Sequence, residues 1–192
     1  MRTILQVEDD PNEVFFLQRA LNRAAVANPV HVVTDGQQAI DYLKGEGKFA
    51  DREQFPMPCL VLLDLKLPFV MGFEVLSWIR QQPGMTVPVV ILSSSAEDAD
   101  MATAYRLGAN AFLTKPSAVS ELEDMVRAIK AFWLTHNSLP HEAHRERAAV
   151  SPYERTVNPG ANRLPATIGV RREEWHPMMT KRRYEKSHSV TL

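Results

Sequence analysis

The chain has 192 residues, 45% of them hydrophobic and 23% charged, which is the balance of an ordinary globular protein and excludes a wholly disordered or fibrous one. A formal net charge of −1 excludes polyanion binding by bulk charge, and a single cysteine, Cys59, excludes an intrachain disulfide framework and a cysteine-rich zinc site. The charge is unevenly spread: residues 1–138 hold 12 of the 22 basic and 17 of the 23 acidic residues, so this part is acidic and residues 139–192 are basic.

Residues 1–138 alternate short apolar runs with longer helix-periodic segments. Ile4-Leu5-Gln6-Val7 reads as a buried strand ended by Glu8-Asp9-Asp10. Pro11 suits the first turn of a helix, and Val14, Leu17, Leu21 and Ala24/Ala25 give that helix one apolar stripe. Val30-His31-Val32-Val33 is a second strand with its turn at Asp35-Gly36, and Ala39, Ile40 and Leu43 mark a short second helix. A looser polar stretch is expected from Gly45 to Pro58.

Cys59-Leu60-Val61-Leu62-Leu63 is the most apolar run, a strand buried on both faces that stops at Asp64. Phe73, Leu76 and Ile79 mark a third helix between Gly72 and Pro83-Gly84. Val87 to Leu92 is a fourth strand, stopping at Ser93-Ser94-Ser95, of which Ser94 and Ser95 stand nearest to cap the next helix. Met101, Ala104 and Leu107 before Gly108 make that fourth helix. Ala111-Phe112-Leu113 is a fifth strand ending at Thr114-Lys115-Pro116, and Leu122, Met125, Val126, Ile129 and Trp133 form the last stripe.

Strands alternating with helices in this way predict an α/β fold with a parallel sheet covered on both faces by right-handed crossovers. All strand C-terminal ends then share one edge, where ligands bind in such sheets. Glu8, Asp9 and Asp10 follow the first strand, Asp64 the third, Ser93 the fourth and Lys115 the fifth. Carboxylates gathered in one pocket repel unless a cation or proton relieves them. Oxygen ligands of this kind suit Mg²⁺, while a lysine and a hydroxyl suit phosphate oxygens. A carboxylate in such a place can act as nucleophile toward phosphorus, forming an aspartyl phosphate. Asp10, directly before Pro11, is equally placed to cap the first helix. Cys59 reads as a small buried hydrophobe and His31 as an ordinary strand residue. The histidines show no metal-ligand spacing, and neither a phosphate-cradling nucleotide loop nor a dinucleotide fingerprint is present.

Val7-Glu8-Asp9-Asp10, Leu62-Leu63-Asp64-Leu65-Lys66-Leu67-Pro68 with Gly72, Ile91-Leu92-Ser93-Ser94 and Phe112-Leu113-Thr114-Lys115-Pro116 together resemble the receiver domain of two-component response regulators, over about residues 2–135. The resemblance implies a flavodoxin-like, doubly wound five-stranded parallel sheet of order 2-1-3-4-5. It implies that Asp64 accepts a phosphoryl group from a histidine kinase, and that Glu8, Asp9, Asp64 and the Lys66 carbonyl form the Mg²⁺ site. Ser93 would turn toward the phosphoryl group, Lys115 would pair with it, and Phe112 would be the aromatic switch. It further implies a cis Lys115–Pro116 bond and dimerisation through the face of helix four, strand five and helix five. The protein would assist its own Mg-dependent phosphorylation and dephosphorylation without being an enzyme in the turnover sense.

Two departures stand out. Phe112 lacks the hydroxyl of tyrosine versions, and Phe69-Val70-Met71-Gly72 is more apolar than the usual loop after the phosphoacceptor. The stretch from Gly45 to Pro58, with Asp64 to Pro68 and Glu74 to Arg80, looks like the phytochrome-associated branch of single-domain regulators, which implies a bacteriophytochrome kinase as partner. An aspartyl-phosphate phosphatase would need a second Asp two residues after Asp64, where Lys66 stands.

Residues 139–192 contain five prolines and four histidines with no sustained period, and read as a basic, mostly irregular tail. A transcription regulator touching DNA through that tail, and a receiver-like interaction module that is never phosphorylated, are the alternatives. No apolar stretch approaches the roughly 20 residues of a membrane-spanning helix, and acids interrupt the N-terminus before a signal-peptide core. A cytoplasmic protein with neither membrane nor nucleic-acid partner is therefore the expectation.

Overall fold

The computed structural model describes residues 2–138; the basic segment 139–192 and the DNA-contact alternative built on it lie outside them. The elements in chain order are β1 (Ile4–Val7), α1 (Pro11–Arg23), β2 (Val30–Val33), α2 (Gly36–Lys44), β3 (Leu60–Leu63), α3 (Gly72–Gln81), β4 (Val89–Ser93), α4 (Asp98–Arg106), β5 (Ala111–Thr114) and α5 (Val119–Ile129). They build one sheet of order β2-β1-β3-β4-β5 with every pairing parallel, the flavodoxin-like arrangement.

Alternate residues of each strand face opposite sides of the sheet, and because both sides are covered by helices the strands are mostly apolar. Leu5 and Val7 of β1 and Val61 and Leu63 of β3 face one core with Leu43, Leu76, Ile79 and Ala104 of α2, α3 and α4. Ile4, Leu60 and Leu62 face the opposite core with Leu17, Leu21, Val126 and Ile129 of α1 and α5. Gln6 shares that second face with Ile4, is 2% exposed, and neither atom of its amide finds a hydrogen-bond partner among the described residues.

Helix ends follow from local chemistry. Asp10 caps α1 by accepting the Asn12 N–H at 2.8 Å, and Asp35 caps α2 by accepting the Gln38 N–H at 2.7 Å. Ahead of α4 the serines do something else than expected. Ser93 Oγ accepts the Ser95 N–H at 3.1 Å and Ser95 Oγ accepts the Glu97 N–H at 3.3 Å, so they brace the approach while Glu97 occupies the cap position. The last stripe continues past α5 into a π-helical segment, Lys130–His136, and Lys130 Nζ ties it to the end of α1 through the carbonyls of Ala24 and Ala25.

The stretch expected to be loose, Gly45 to Pro58, is docked. A 3₁₀ turn at Gly47–Phe49 places Phe49 beside Tyr42 and Phe55, and Arg52 donates to the carbonyls of Tyr42, Leu43 and Phe55 at 2.8, 2.7 and 3.1 Å. One guanidinium thus ties the last turn of α2, where the Tyr42 carbonyl also accepts the Gly45 N–H at 3.1 Å, to the segment that follows it. Tyr42 donates its hydroxyl to the Pro56 carbonyl at 3.0 Å, and burial pushes that hydroxyl's pKa up to about 12. His31 Nδ1, 2.8 Å away, is therefore the donor to Tyr42. Cys59 is half-buried rather than fully buried and packs against the α1/α5 core.

The edge strands of the sheet are β2 and β5. On β5 the Phe112 N–H is taken by the Tyr105 hydroxyl of α4 at 3.3 Å. No helix among the described residues is long and apolar enough to cross a membrane.

Candidate functional site

The parallel register brings the predicted residues to one edge. Glu8 N–H donates to the Val33 carbonyl at 3.0 Å, Asp64 N–H to Val7 at 3.0 Å, and Lys115 N–H to Ser93 at 2.8 Å. Each of these three residues is thereby pinned to a neighbouring strand by its own backbone. Glu8, Asp64 and Ser93 are 5%, 6% and 1% exposed, whereas Asp9 is exposed.

Lys115 is the centre of the arrangement. Its Nζ stands 2.9 Å from Asp64 Oδ1 and 2.5 Å from Glu8 Oε2, and it also contacts the Glu13 carboxylate. Asp64 Oδ2 accepts the Lys66 N–H at 2.5 Å, while the Lys66 side chain is exposed. Glu8, Asp9 and Asp64 each offer an oxygen lying within 4.8 Å of the others. Ser93 closes the set at the end of β4, its hydroxyl engaged with Ser95, and Phe112 is buried at 8% exposure in the α2/α3/α4 core. The structure therefore brings Glu8, Asp64 and Lys115 into direct contact, with Asp9 beside them and Ser93 one strand along. The Lys115–Pro116 bond is trans, contrary to the expectation, for no described peptide bond is cis. Trans is the intrinsically favoured isomer even before proline.

Close approach of α3 depends on Gly72. A Cβ there would lie 2.1 Å from the Asp64 carbonyl oxygen, and one on Gly36 would lie 2.0 Å from the Val70 carbonyl. The loop after β3 can fold tightly over Asp64 only because both positions lack a side chain. Phe69, at the crest of that loop, is 89% exposed and holds a φ of 64°.

The electrostatics are lopsided: Glu8, Asp9, Glu13 and Asp64 face one ammonium. Burial pushes the Glu8 carboxyl up to about 7, against the pull of Lys115, with Asp64 and Glu13 adding to the rise. Burial alone would depress the Lys115 ammonium, but its bonds to Glu13, Glu8 and Asp64 outweigh that and raise it. An all-oxygen donor set with surplus negative charge fits a hard divalent ion. Beside it opens a cavity of about 460 Å³, with Glu8, Asp64 and Lys115 at its polar end and Phe16, Leu17 and Leu122 along its wall.

Glu13 escapes a reading of the sequence. It sits in the first turn of α1, where an acid is accounted for by the helix dipole alone, and its partner is 102 residues away. The one available signal is that it follows the acidic triplet closely enough to share its neighbourhood.

Comparison with known proteins agrees with this geometry. The model of the response regulator receiver domain matches residues 4–127. Response regulator Rcp1 of Synechocystis is 36% identical over 140 residues, covering 72% of this chain and 93% of that protein. The crystal structure of the phosphorylated cyanobacterial phytochrome response regulator RcpA matches with a TM-score of 0.67 and 38% identity, over 73% of this chain and 99% of that one. The Mn(2+)-bound form of Rcp1 matches with a TM-score of 0.66 and 35% identity, over 73% and 100%. With the acids, the lysine and the sheet order all in place, the chain belongs to the response regulator receiver domain family and serves two-component signalling.

Proposed function

We propose that Asp64 is the phosphoacceptor and that the donor is the phosphohistidine of a phytochrome-type histidine kinase. The observation carrying this reading is the 2.9 Å contact of Lys115 Nζ with Asp64 Oδ1, beside the carboxylates of Glu8 and Asp9. The names of Rcp1 and RcpA, one described as a phytochrome response regulator, support the choice of kinase.

Asp64 Oδ2 is held by the Lys66 N–H and Oδ1 by the Lys115 ammonium, which together orient the carboxylate for attack on phosphorus. As the Asp64 oxygen–phosphorus bond forms, the phosphorus–nitrogen bond to the donor imidazole breaks and its electron pair stays on the ring. Lys115 offsets negative charge on the transferred oxygens. Mg²⁺, held by Glu8, Asp9, Asp64 and the Lys66 carbonyl, would supply further neutralisation of that charge. Ser93 then exchanges its bond with the Ser95 N–H for one to the phosphoryl group. That frees the segment before α4, and Phe112 repacks behind it. The face of α4, β5 and α5 becomes the output surface, toward a target protein or a second copy of the chain. Attack by water on phosphorus resets the site.

Incubation with a small acyl-phosphate donor and Mg²⁺ tests this. One hydroxylamine-labile phosphoryl group per chain is expected on the wild type and none on Asp64→Asn. Equal labelling of both proteins would reject Asp64.

A further inference from the structure

We propose that Glu13 is a positioning residue that holds Lys115 in reserve and yields it when the phosphoryl group arrives. The ammonium has three N–H donors and faces three carboxylates, Glu8, Glu13 and Asp64, so it has no donor left for a further oxygen. Pairing with a phosphoryl group therefore requires one of these contacts to break.

The geometry says which one. The side chains of Glu8 and Asp64 are each 7% exposed, so a carboxylate released there would be stranded away from water. Glu13 is 35% exposed and stands in the first turn of α1, where water and the helix N-terminus can both receive its charge. Releasing Glu13 costs least. Its contact with Lys115 thus stabilises the unphosphorylated state selectively, because it is the contact given up when the phosphoryl group is bound. The inference rests on the phosphoacceptor reading and adds a residue to it: Glu13 sets how readily Lys115 changes partner.

The test uses the full chain, Mg²⁺ and beryllium fluoride as the phosphoryl mimic, with affinity followed by tryptophan fluorescence. Glu13→Gln keeps the side-chain length and removes the charge. It is expected to bind the mimic about fivefold more tightly than wild type, the worth of one part-exposed ion pair. A gain is not what structural damage produces, and circular dichroism establishes that the variant is folded. Asp10→Asn removes the same charge from the same edge while preserving a good helix cap, and Asp10 does not touch Lys115. It is expected to stay within about twofold of wild type, as an exposed charge with no contact to Lys115 should. Unchanged or weaker binding by Glu13→Gln, or an equal gain in Asp10→Asn, overturns the proposal. If wild type itself shows no binding that depends on Asp64, the phosphoacceptor reading falls and takes this one with it. If wild type binds and Glu13→Gln does not gain, Glu13 alone falls.

Discussion

A Cβ on Gly72 would lie 2.1 Å from the backbone carbonyl oxygen of Asp64, so the path of the chain at Asp64 requires glycine at position 72. Gly72→Ala forces a Cβ against the Asp64 and Leu65 backbone, which no rotamer change relieves. A loss of more than about 2 kcal/mol of stability is expected in urea unfolding, as for other overpacked core positions. Divalent-ion affinity should fall with it, because the Asp64 carboxylate moves with its backbone.

Glu8 makes stability depend on pH in an unusual direction. Its carboxyl titrates at about 7 in the folded, metal-free protein against an ordinary 4.5, so the native state holds the extra proton between those values. This contribution is complete below 4.5 and is lost as pH rises through 7, with a span on the order of 3 kcal/mol. Urea midpoints measured with a chelator at pH 5 and pH 8 should fall more steeply in wild type than in Glu8→Gln. Saturating Mg²⁺ should shrink the difference by favouring the ionised carboxylate. A steeper fall in Glu8→Gln than in wild type would contradict the assignment.

Gln6 carries two buried polar atoms without partners among the described residues. Gln6→Leu removes both and completes the apolar face begun by Ile4. A gain of roughly 1–3 kcal/mol, seen as a higher melting temperature, is expected from the relieved desolvation cost. A melting temperature at or below that of wild type would show that the amide is satisfied in solution.

Arg52 bonds three carbonyls with one side chain. Arg52→Ala should cost about 2–3 kcal/mol, since charge-assisted bonds to buried carbonyls are worth more than neutral ones. Amide exchange would localise the damage: residues 45–58 are expected to lose protection while β3 and β4 keep theirs.

The strands and the site residues were legible in the sequence for one reason. A strand buried on both faces must be apolar along its length, as in Leu60 to Leu63, so the first polar residue after it marks the sheet edge and its chemistry. Glu8, Asp64 and Ser93 stand out that way, Lys115 through the Thr114-Lys115-Pro116 run that ends the fifth strand, and four strands pinned in parallel register deliver them together. Contacts made by long side chains across the fold were not legible. Glu13 has a sufficient local explanation that hides its reach to Lys115, and Arg52 lies in a segment whose polar composition looks like solvent exposure. Gln6 sat inside an apolar pattern strong enough to absorb it. Proline after Lys115 loosens the peptide geometry without deciding it, and the chain keeps the trans form.

Tyr105 has a wider consequence. An outer strand offering its free amides is a template on which foreign chains can polymerise, and this one has the Phe112 amide already spoken for. Any motion that carries α4 away from β5 would uncover that template. The Tyr105 phenol thus ties the placement of α4 to how much of the outer edge of β5 is open.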